Sequence, residues 1–196
     1  MGGTSGTLYT SSYTSSFVTW TAVTSPETMQ VNGIATVDGV IVYLVGTGSD
    51  GKGRLYHSTN SGSSWTRITN VGSTVALYSI SLSSSSEIMV QGASLFVARS
   101  WNSGSTWSSM TVFTSGSTTS TRPPHALSMY SRTIAVAGSI SGALRETDNG
   151  GLSWFDATTL GQGKSIYSAK IYSTDVGVAG KLNDMHSTIF FYCCRF

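Results

Sequence analysis

Charged side chains are scarce in this sequence. The chain has 11 Lys and Arg and 9 Asp and Glu among 196 residues, so charged residues make up 10%, against roughly 25% in an average soluble domain. The formal net charge is +2, and no run of Lys or Arg occurs. Nucleic-acid binding requires a concentrated basic face for the phosphates. The composition therefore predicts no nucleic-acid partner.

Cysteines and long apolar segments are also rare. The two cysteines, Cys193 and Cys194, are adjacent, so no disulfide framework is predicted. The longest apolar runs, such as residues 40–45, are too short to cross a bilayer, and we predict no membrane span. The N-terminus lacks the features of a secretory signal, and no Asn begins a glycosylation sequon. We expect a cytosolic or organellar protein, or a sequence without its natural start.

Signals for a cofactor or a metal are missing as well. Residues 46–53, GTGSDGKG, are rich in glycine and include a lysine, but their spacing is not that of a phosphate-binding loop. The three histidines, His57, His125 and His186, do not have the spacing of metal ligands. The sequence therefore predicts neither a cofactor nor a metal site.

Short apolar segments recur along the whole chain. Apolar residues make up 39%, which is enough for a core despite the abundance of Ser, Thr and Gly. Four segments end in glycine: VYLVG at Gly46, IMVQG at Gly92, IAVAG at Gly138 and VGVAG at Gly180. Segments such as LYSISL and IYSAKIY alternate apolar and polar residues, which is the period of a half-buried strand. The sequence predicts an all-β protein.

One eight-residue phrase occurs three times. It reads STNSGSSW at residues 58–65, SWNSGSTW at 100–107 and TDNGGLSW at 147–154. The final tryptophans are 42 and 47 residues apart, and Trp20 lies 45 residues before Trp65. We interpret YTSSFVTW, which ends at Trp20, as a degenerate first copy in which Phe17 replaces the glycine. Of the five tryptophans, Trp101 alone lies outside this phase.

The repeat predicts the architecture. We divide one domain, residues 1–196, into units at 1–25, 26–70, 71–112 and 113–158 with a partial fifth at 159–196. Repeats of about 40–50 residues that each form a small antiparallel sheet are typical of a β-propeller, whereas a β-helix has shorter coils and a sandwich does not repeat one turn at one phase. We predict about four blades in an incomplete ring, which is either a fragment or a small open propeller. Open blade edges favour self-association.

Four positions of the phrase are shared by all copies. They are a hydroxyl residue (Ser58, Ser100, Thr147), an asparagine (Asn60, Asn102, Asn149), a glycine (Gly62, Gly104, Gly151) and a tryptophan (Trp65, Trp107, Trp154). The hydroxyl and the amide can hydrogen-bond backbone groups within a turn. The glycine accepts a positive φ, and the tryptophan is a large apolar plug for the hairpin.

At these residues the sequence resembles the Asp-box, or BNR, repeat, in which Asp or Asn holds the third position. The resemblance covers the chain from about Trp20 to the C-terminus. It implies a hairpin between the two outer strands of each propeller blade, remote from any site near the axis. We therefore interpret the phrase as a structural element without a catalytic role.

Residues 134–154, IAVAGSISGALRETDNGGLSW, resemble the repeat of photosystem II assembly and stability factors. Those proteins are propellers without a catalytic site that hold a membrane-protein subunit during assembly. The resemblance implies a non-enzymatic scaffold with a protein partner, and a location in the plastid lumen. For a contact with that partner, the polar segment around Arg122 and His125 is our candidate, and Arg132 and Arg145 can extend it.

Sialidases are the alternative among Asp-box propellers, with carbohydrate as the ligand. Their chemistry resembles other glycoside hydrolysis in needing tuned protic groups, together with an arginine triad for the substrate carboxylate. This chain has three glutamates and no Arg-Ile-Pro motif, so a complete site is not present. Xyloglucan-degrading glycosidases with the same box need paired aspartates, for which the sequence offers no convincing pair. The alternative is therefore a fragment of a sialidase-like glycoside hydrolase whose catalytic residues lie in other blades.

Overall fold

The computed structural model of the chain describes residues 6–14, 17–112, 126–138, 143–157, 166–174, 177–182 and 187–192. All regular structure in these ranges is β-strand, arranged in five antiparallel sheets. Within each sheet the strands pair in the order in which they follow one another along the chain. Such meanders are the building block of a propeller blade.

Three of the sheets have four strands and form complete blades. The first blade contains β3 (Met29–Thr36), β4 (Val42–Gly48), β5 (Gly53–Ser58) and β6 (Thr66–Arg67). The second contains β7 (Leu77–Leu82), β8 (Ile88–Gly92), β9 (Val97–Ser100) and β10 (Ser108–Met110). The third contains β11 (Ala126–Met129), β12 (Ala135–Gly138), β13 (Leu144–Thr147) and β14 (Phe155–Asp156).

Two smaller sheets flank these blades. An N-terminal hairpin consists of β1 (Leu8–Thr14) and β2 (Phe17–Val23), and the last sheet consists of β15 (Ile166–Ile171), β16 (Gly177–Leu182) and β17 (Ser187–Tyr192). The first strands β3, β7, β11 and β15 contact one another in sequence, so they lie on the inner side of the arc of sheets. No closed ring is present among the described residues. The predicted all-β, incomplete propeller is confirmed.

The core consists of layers between neighbouring sheets, and the second strands supply side chains to two layers at once. In β8, Ile88 and Val90 pack with residues of the first blade, while Met89 packs with residues of the third. In β4, Tyr43 and Val45 face the second blade in the same way. Since both faces of these strands are buried, their sequences are continuous apolar runs without alternation.

Hydrogen bonds join the innermost strands across these layers. The Ser81 hydroxyl accepts the backbone N–H of Met129 at 2.9 Å, and the Ser128 hydroxyl accepts that of Ile171 at 3.1 Å. Between the first two blades, the side-chain amide of Asn32 donates to the carbonyl of Leu77 at 2.6 Å. Each bond satisfies a polar group close to the packed core.

The N-terminal hairpin differs from the interpretation of YTSSFVTW as a degenerate first copy of the phrase. β1 and β2 pair continuously up to Thr14 opposite Phe17, so Phe17 and Trp20 belong to a strand, whereas the glycine and the tryptophan of the three full copies lie between strands. Trp20 lies within β2 and is 49% exposed. The physical reason is the missing glycine. The loop of the full copies has a positive φ at the glycine position, and Phe17, which occupies that position here, does not readily adopt it.

The three complete blades lie within the predicted units 26–70, 71–112 and 113–158, since their strands extend over residues 29–67, 77–110 and 126–156. The division into units and the single-domain assignment remain predictions. Within the described ranges, no helix has the length and apolar character needed to cross a membrane.

The glycine that ends each apolar run generates the first testable prediction. A methyl group on Gly92 would lie 2.5 Å from the carbonyl oxygen of Ala76, whereas at the corresponding Gly180 the nearest atoms are 3.9 Å away. We expect Gly92→Ala to lower the free energy of unfolding by about 1–3 kcal/mol through overpacking. The matched Gly180→Ala should leave it unchanged or raise it slightly. Urea unfolding midpoints measure both, and equal effects of the two substitutions would contradict the close-packing argument.

Candidate functional site

The three phrases form three similar loops between the third and fourth strands of their blades. In each loop the first hydroxyl accepts the backbone N–H of the glycine four residues later, at 2.9 Å for Gly62, 2.9 Å for Gly104 and 2.8 Å for Gly151. The same hydroxyl donates to the asparagine Oδ1. That oxygen also accepts the backbone N–H four residues beyond the asparagine, at 2.9–3.0 Å. The hydroxyl and the asparagine side chain of each phrase are thus used within the loop.

The glycine and the tryptophan of each phrase lie against each other. The three glycines have φ values of 86°, 83° and 85°, which residues with a side chain seldom adopt. A methyl group placed on Gly62 would be 3.4 Å from the Trp65 ring, and one on Gly104 would be 3.6 Å from the Trp107 ring. The ring therefore covers the glycine and closes the loop.

The loops also join other parts of the propeller. The backbone N–H after each asparagine donates to the turn between the first two strands of the same blade, from Ser61 to Val40, from Ser103 to Ser86 and from Gly150 to Thr133. Between blades, the amide of Asn70 donates to the carbonyl of Ser105 at 2.7 Å. A structural role for the twelve phrase residues remains our interpretation of these contacts.

A cluster of two arginines and one tryptophan lies at the second of these loops. The guanidinium carbon of Arg99 is 5.2 Å from the centre of the Trp101 ring, and that of Arg132 is 5.3 Å from it. Arg99 belongs to β9 and Trp101 follows it by two residues, whereas Arg132 comes from the turn between β11 and β12 of the third blade. We call these three residues the Arg–Trp cluster. Both distances are within the range of cation–π interactions.

No carboxylate of the described residues compensates the positive charges of the Arg–Trp cluster. Among the described residues, neither arginine forms an ion pair with a carboxylate. Burial lowers the pKa of Arg99, and the positive charge of Arg132 lowers it further. The Arg99 Nε is buried and has no hydrogen-bond partner within the described part of the chain. Two guanidinium groups that are held on one ring are therefore suited to bind a carboxylate.

The arginines and the histidine predicted as partner contacts have different outcomes. Arg132 is exposed and takes part in the Arg–Trp cluster. The Nε of Arg145 lies 3.0 Å from a carboxylate oxygen of Asp156 on the neighbouring strand, so that charge is already paired. Arg122 and His125 lie outside the described residues.

Sequence reasoning missed Arg99 and Trp101 as candidate site residues. Trp101 carried one signal, because it is the tryptophan that does not fit the phase of the repeat. Arg99 carried none, since it is one of several arginines along the chain.

A second charged cluster joins the segment before β3 to the third strand of the first blade. Arg54 forms ion pairs with Glu27 and Asp50, and the Tyr56 hydroxyl donates to the Glu27 carboxylate at 2.8 Å. Burial, followed by the hydrogen bond and the charge of Glu27, raises the pKa of Tyr56 to about 12. Tyr56 therefore stays protonated and serves as a donor. Nowhere in the described ranges, this cluster included, could a group of three or more His, Cys, Asp or Glu residues hold a metal ion.

Comparison with known proteins places the fold among β-propellers. No protein-family model and no curated protein matches the sequence. A solved structure of YCF48 bound to a D1 peptide is similar with a TM-score of 0.64 and 16% identity, covering 82% of this chain and 53% of that chain. YCF48 from Cyanidioschyzon merolae gives a TM-score of 0.61 and 17% identity, covering 85% and 56%.

Enzymes share the same fold. A GH74 xyloglucanase from Xanthomonas campestris is similar with a TM-score of 0.56 and 13% identity, covering 82% of this chain and 29% of that chain. In comparison, this chain spans about half the length of each of the two YCF48 structures. At such identities the likeness concerns the fold, and function must be argued from the residues of the site.

The hydroxyl of the phrase is tested by two serines of the same loop. Ser100 is buried and accepts the N–H of Gly104, whereas Ser105 is exposed. We expect Ser100→Ala to lower the free energy of unfolding by about 1–3 kcal/mol, because buried N–H groups lose their acceptor. Ser105→Ala should change it by less than about 0.5 kcal/mol. If chemical denaturation showed no difference between the variants, the loop would not stabilise the blade in this way.

Proposed function

We propose that this chain is a non-enzymatic propeller scaffold that binds an acidic segment of a protein partner. The observation that carries the proposal is the Arg–Trp cluster, in which Arg99 and Arg132 lie on Trp101 without a carboxylate partner among the described residues. The narrower form of the proposal is a role in the assembly of a membrane-protein complex, like that of photosystem assembly factors, within a plastid.

The geometry of the cluster favours a carboxylate over other ligands. A guanidinium group presents several N–H donors in one plane and can bind a carboxylate through two parallel hydrogen bonds. Stacking on the Trp101 ring restricts the side chains of Arg99 and Arg132 before a ligand arrives. Less conformational entropy is then lost on binding. The ring also offers apolar surface beside the charges, as protein interfaces commonly do.

The comparisons support the scaffold proposal through the fold. YCF48 is a propeller that has been observed with a bound peptide of D1, and this chain is similar in fold to about half of it. The resemblance of residues 134–154 to the repeats of photosystem II assembly factors points in the same direction. These likenesses support a peptide ligand for this chain, and the Arg–Trp cluster offers a surface on which to bind it.

A sialidase-like glycosidase is the second candidate, and one observation favours it. Tyr56 donates a hydrogen bond to Glu27. Sialidases use a tyrosine as the nucleophile, and a glutamate beside it can accept its proton. The environment is unsuitable, however, because Tyr56 is 6% exposed and its pKa is raised to about 12 instead of lowered. The nearby Arg54 is already paired with two carboxylates. We therefore expect no release of fluorophore from a fluorogenic sialoside.

Charge reversal at the cluster tests the scaffold proposal. The probe is a fluorescent peptide rich in Glu, and fluorescence anisotropy measures its dissociation constant. We expect Arg132→Glu to weaken binding at least about tenfold, which corresponds to a loss of about 1.4 kcal/mol. Binding to the unmodified chain should weaken as salt is added, since the contact is electrostatic.

The matched control is Arg67→Glu, which reverses the charge of another exposed arginine, located on β6. An equal loss of binding in both variants would indicate general charge attraction and would contradict a specific site. Self-association through the open blade edges remains a prediction. Light scattering on the same samples therefore records whether the chain is monomeric during the binding measurement. A Glu-rich peptide that does not bind the unmodified chain would refute the proposal outright.

A further inference from the structure

The third phrase differs from the other two in one residue that matters chemically. Asn149 is followed by Gly150, whereas Asn60 and Asn102 are followed by Ser61 and Ser103. The three following residues share one backbone conformation, with φ values of 70°, 57° and 57°. An asparagine before glycine is the sequence most prone to deamidation, because no side chain shields the attacking backbone nitrogen. The second Asn–Gly pair of the chain is Asn32–Gly33.

The reaction requires freedom of two groups. The backbone nitrogen of the glycine attacks the asparagine Cγ, a C–N bond forms, and the Cγ–Nδ2 bond breaks. Ammonia leaves with the proton that the backbone nitrogen loses, and a cyclic imide remains. Water then opens the imide at Cγ to give aspartate, or at the backbone carbonyl to give isoaspartate. Both the backbone N–H and the side-chain amide must therefore be released from other contacts.

We propose that Asn149–Gly150 is a deamidation site that the folded loop keeps unreactive and that local unfolding of the third blade exposes. The Gly150 N–H donates to the carbonyl of Thr133 at 2.8 Å, so the nitrogen is not free to attack. The Asn149 Oδ1 accepts the N–H of Ser153 at 3.0 Å, and its Nδ2 donates to the Ser153 hydroxyl at 2.7 Å. These bonds hold the amide within the turn. Opening of the loop removes both constraints.

The aspartate product at position 149 is compatible with the loop. The oxygen that accepts from Thr147 and Ser153 is present in aspartate as well as in asparagine. The bond in which the Asn149 side chain donates ends on the hydroxyl of Ser153, which can rotate and become the donor. A molecule in which the imide at position 149 has opened to aspartate can therefore refold with all its loop hydrogen bonds. Isoaspartate adds an atom to the backbone of the loop and does not share this compatibility.

At Asn32 the same change has the opposite consequence. The Nδ2 of Asn32 donates to the backbone carbonyl of Leu77 at 2.6 Å, across the interface between the first two blades. An aspartate only accepts hydrogen bonds when it is ionised, and a carbonyl cannot donate one. Two acceptors would then face each other at this interface. Conversion of Asn32 to aspartate therefore damages the stacking of blades, whereas conversion of Asn149 to aspartate does not.

Peptide mapping by mass spectrometry tests the protection of the site. The full chain is kept at mildly alkaline pH, either folded or unfolded in guanidinium chloride. The peptides that contain Asn32, Asn60, Asn102 and Asn149 are followed over time. We expect Asn149 and Asn32 to convert in the unfolded chain and to stay unmodified in the folded chain. Asn60 and Asn102 serve as controls that convert far more slowly even when unfolded. Equal rates at Asn149 in the folded and unfolded chains would overturn the proposal.

Two matched substitutions test the difference between the sites. Thermal unfolding of Asn149→Asp should give a Tm close to that of the original chain, and its far-ultraviolet circular dichroism should be unchanged. Asn32→Asp should lower the Tm clearly or prevent folding. An Asn149→Asp variant that unfolds as readily as Asn32→Asp, or fails to fold, would refute the compatibility of the product.

Discussion

The stacking of sheet faces is the constraint on which the rest of this structure depends. A meander of four short strands has two faces and cannot cover either of them by itself, so each blade is stable only between neighbours. The second strands record this requirement most directly, since Ile88 and Val90 contact one neighbouring blade while Met89 contacts the other. Gly92, at the end of the same strand, has no space for a side chain because the backbone carbonyl of Ala76, just before β7, lies so close.

The three loops formed by the repeated phrase have a different effect, because they fix how the outer strands are attached to the stacked core. Each loop uses a buried hydroxyl, an amide and a glycine of positive φ to close a hairpin within eight residues, and it donates one further hydrogen bond to the turn between the inner strands. The inner and outer hairpins of a blade are thereby held at the same end. The hydrogen bond from Gly150 to Thr133 fixes the turn between β11 and β12 in this way, and Arg132 lies in that turn.

Much of the fold follows from local sequence features, and most of the candidate site does not. The phase of the tryptophans indicates the blades, because the loops that contain them recur in three blades. The glycines that end the apolar runs do so as well, because Gly46, Gly92 and Gly138 all lie too close to a neighbouring segment for a side chain. The segment YTSSFVTW has the correct phase but a different loop, since Phe17 replaces the glycine that the box conformation needs. The Arg–Trp cluster joins residues of two units. Such a contact depends on the packing of blades, which no local pattern encodes.

The position of the Arg–Trp cluster links partner binding to the integrity of the propeller. Arg99 and Trp101 belong to the second blade and Arg132 to the third, so both guanidinium groups lie near the Trp101 ring only while these blades are stacked. Burial is the larger cause of the lowered pKa of Arg99, and the positive charge of Arg132 lowers it further, so bringing the two charges to one ring opposes that stacking. A bound carboxylate would remove the repulsion and stabilise the stacked state in proportion to its concentration. A partner that binds there would therefore strengthen the same inter-blade contacts that create its binding site.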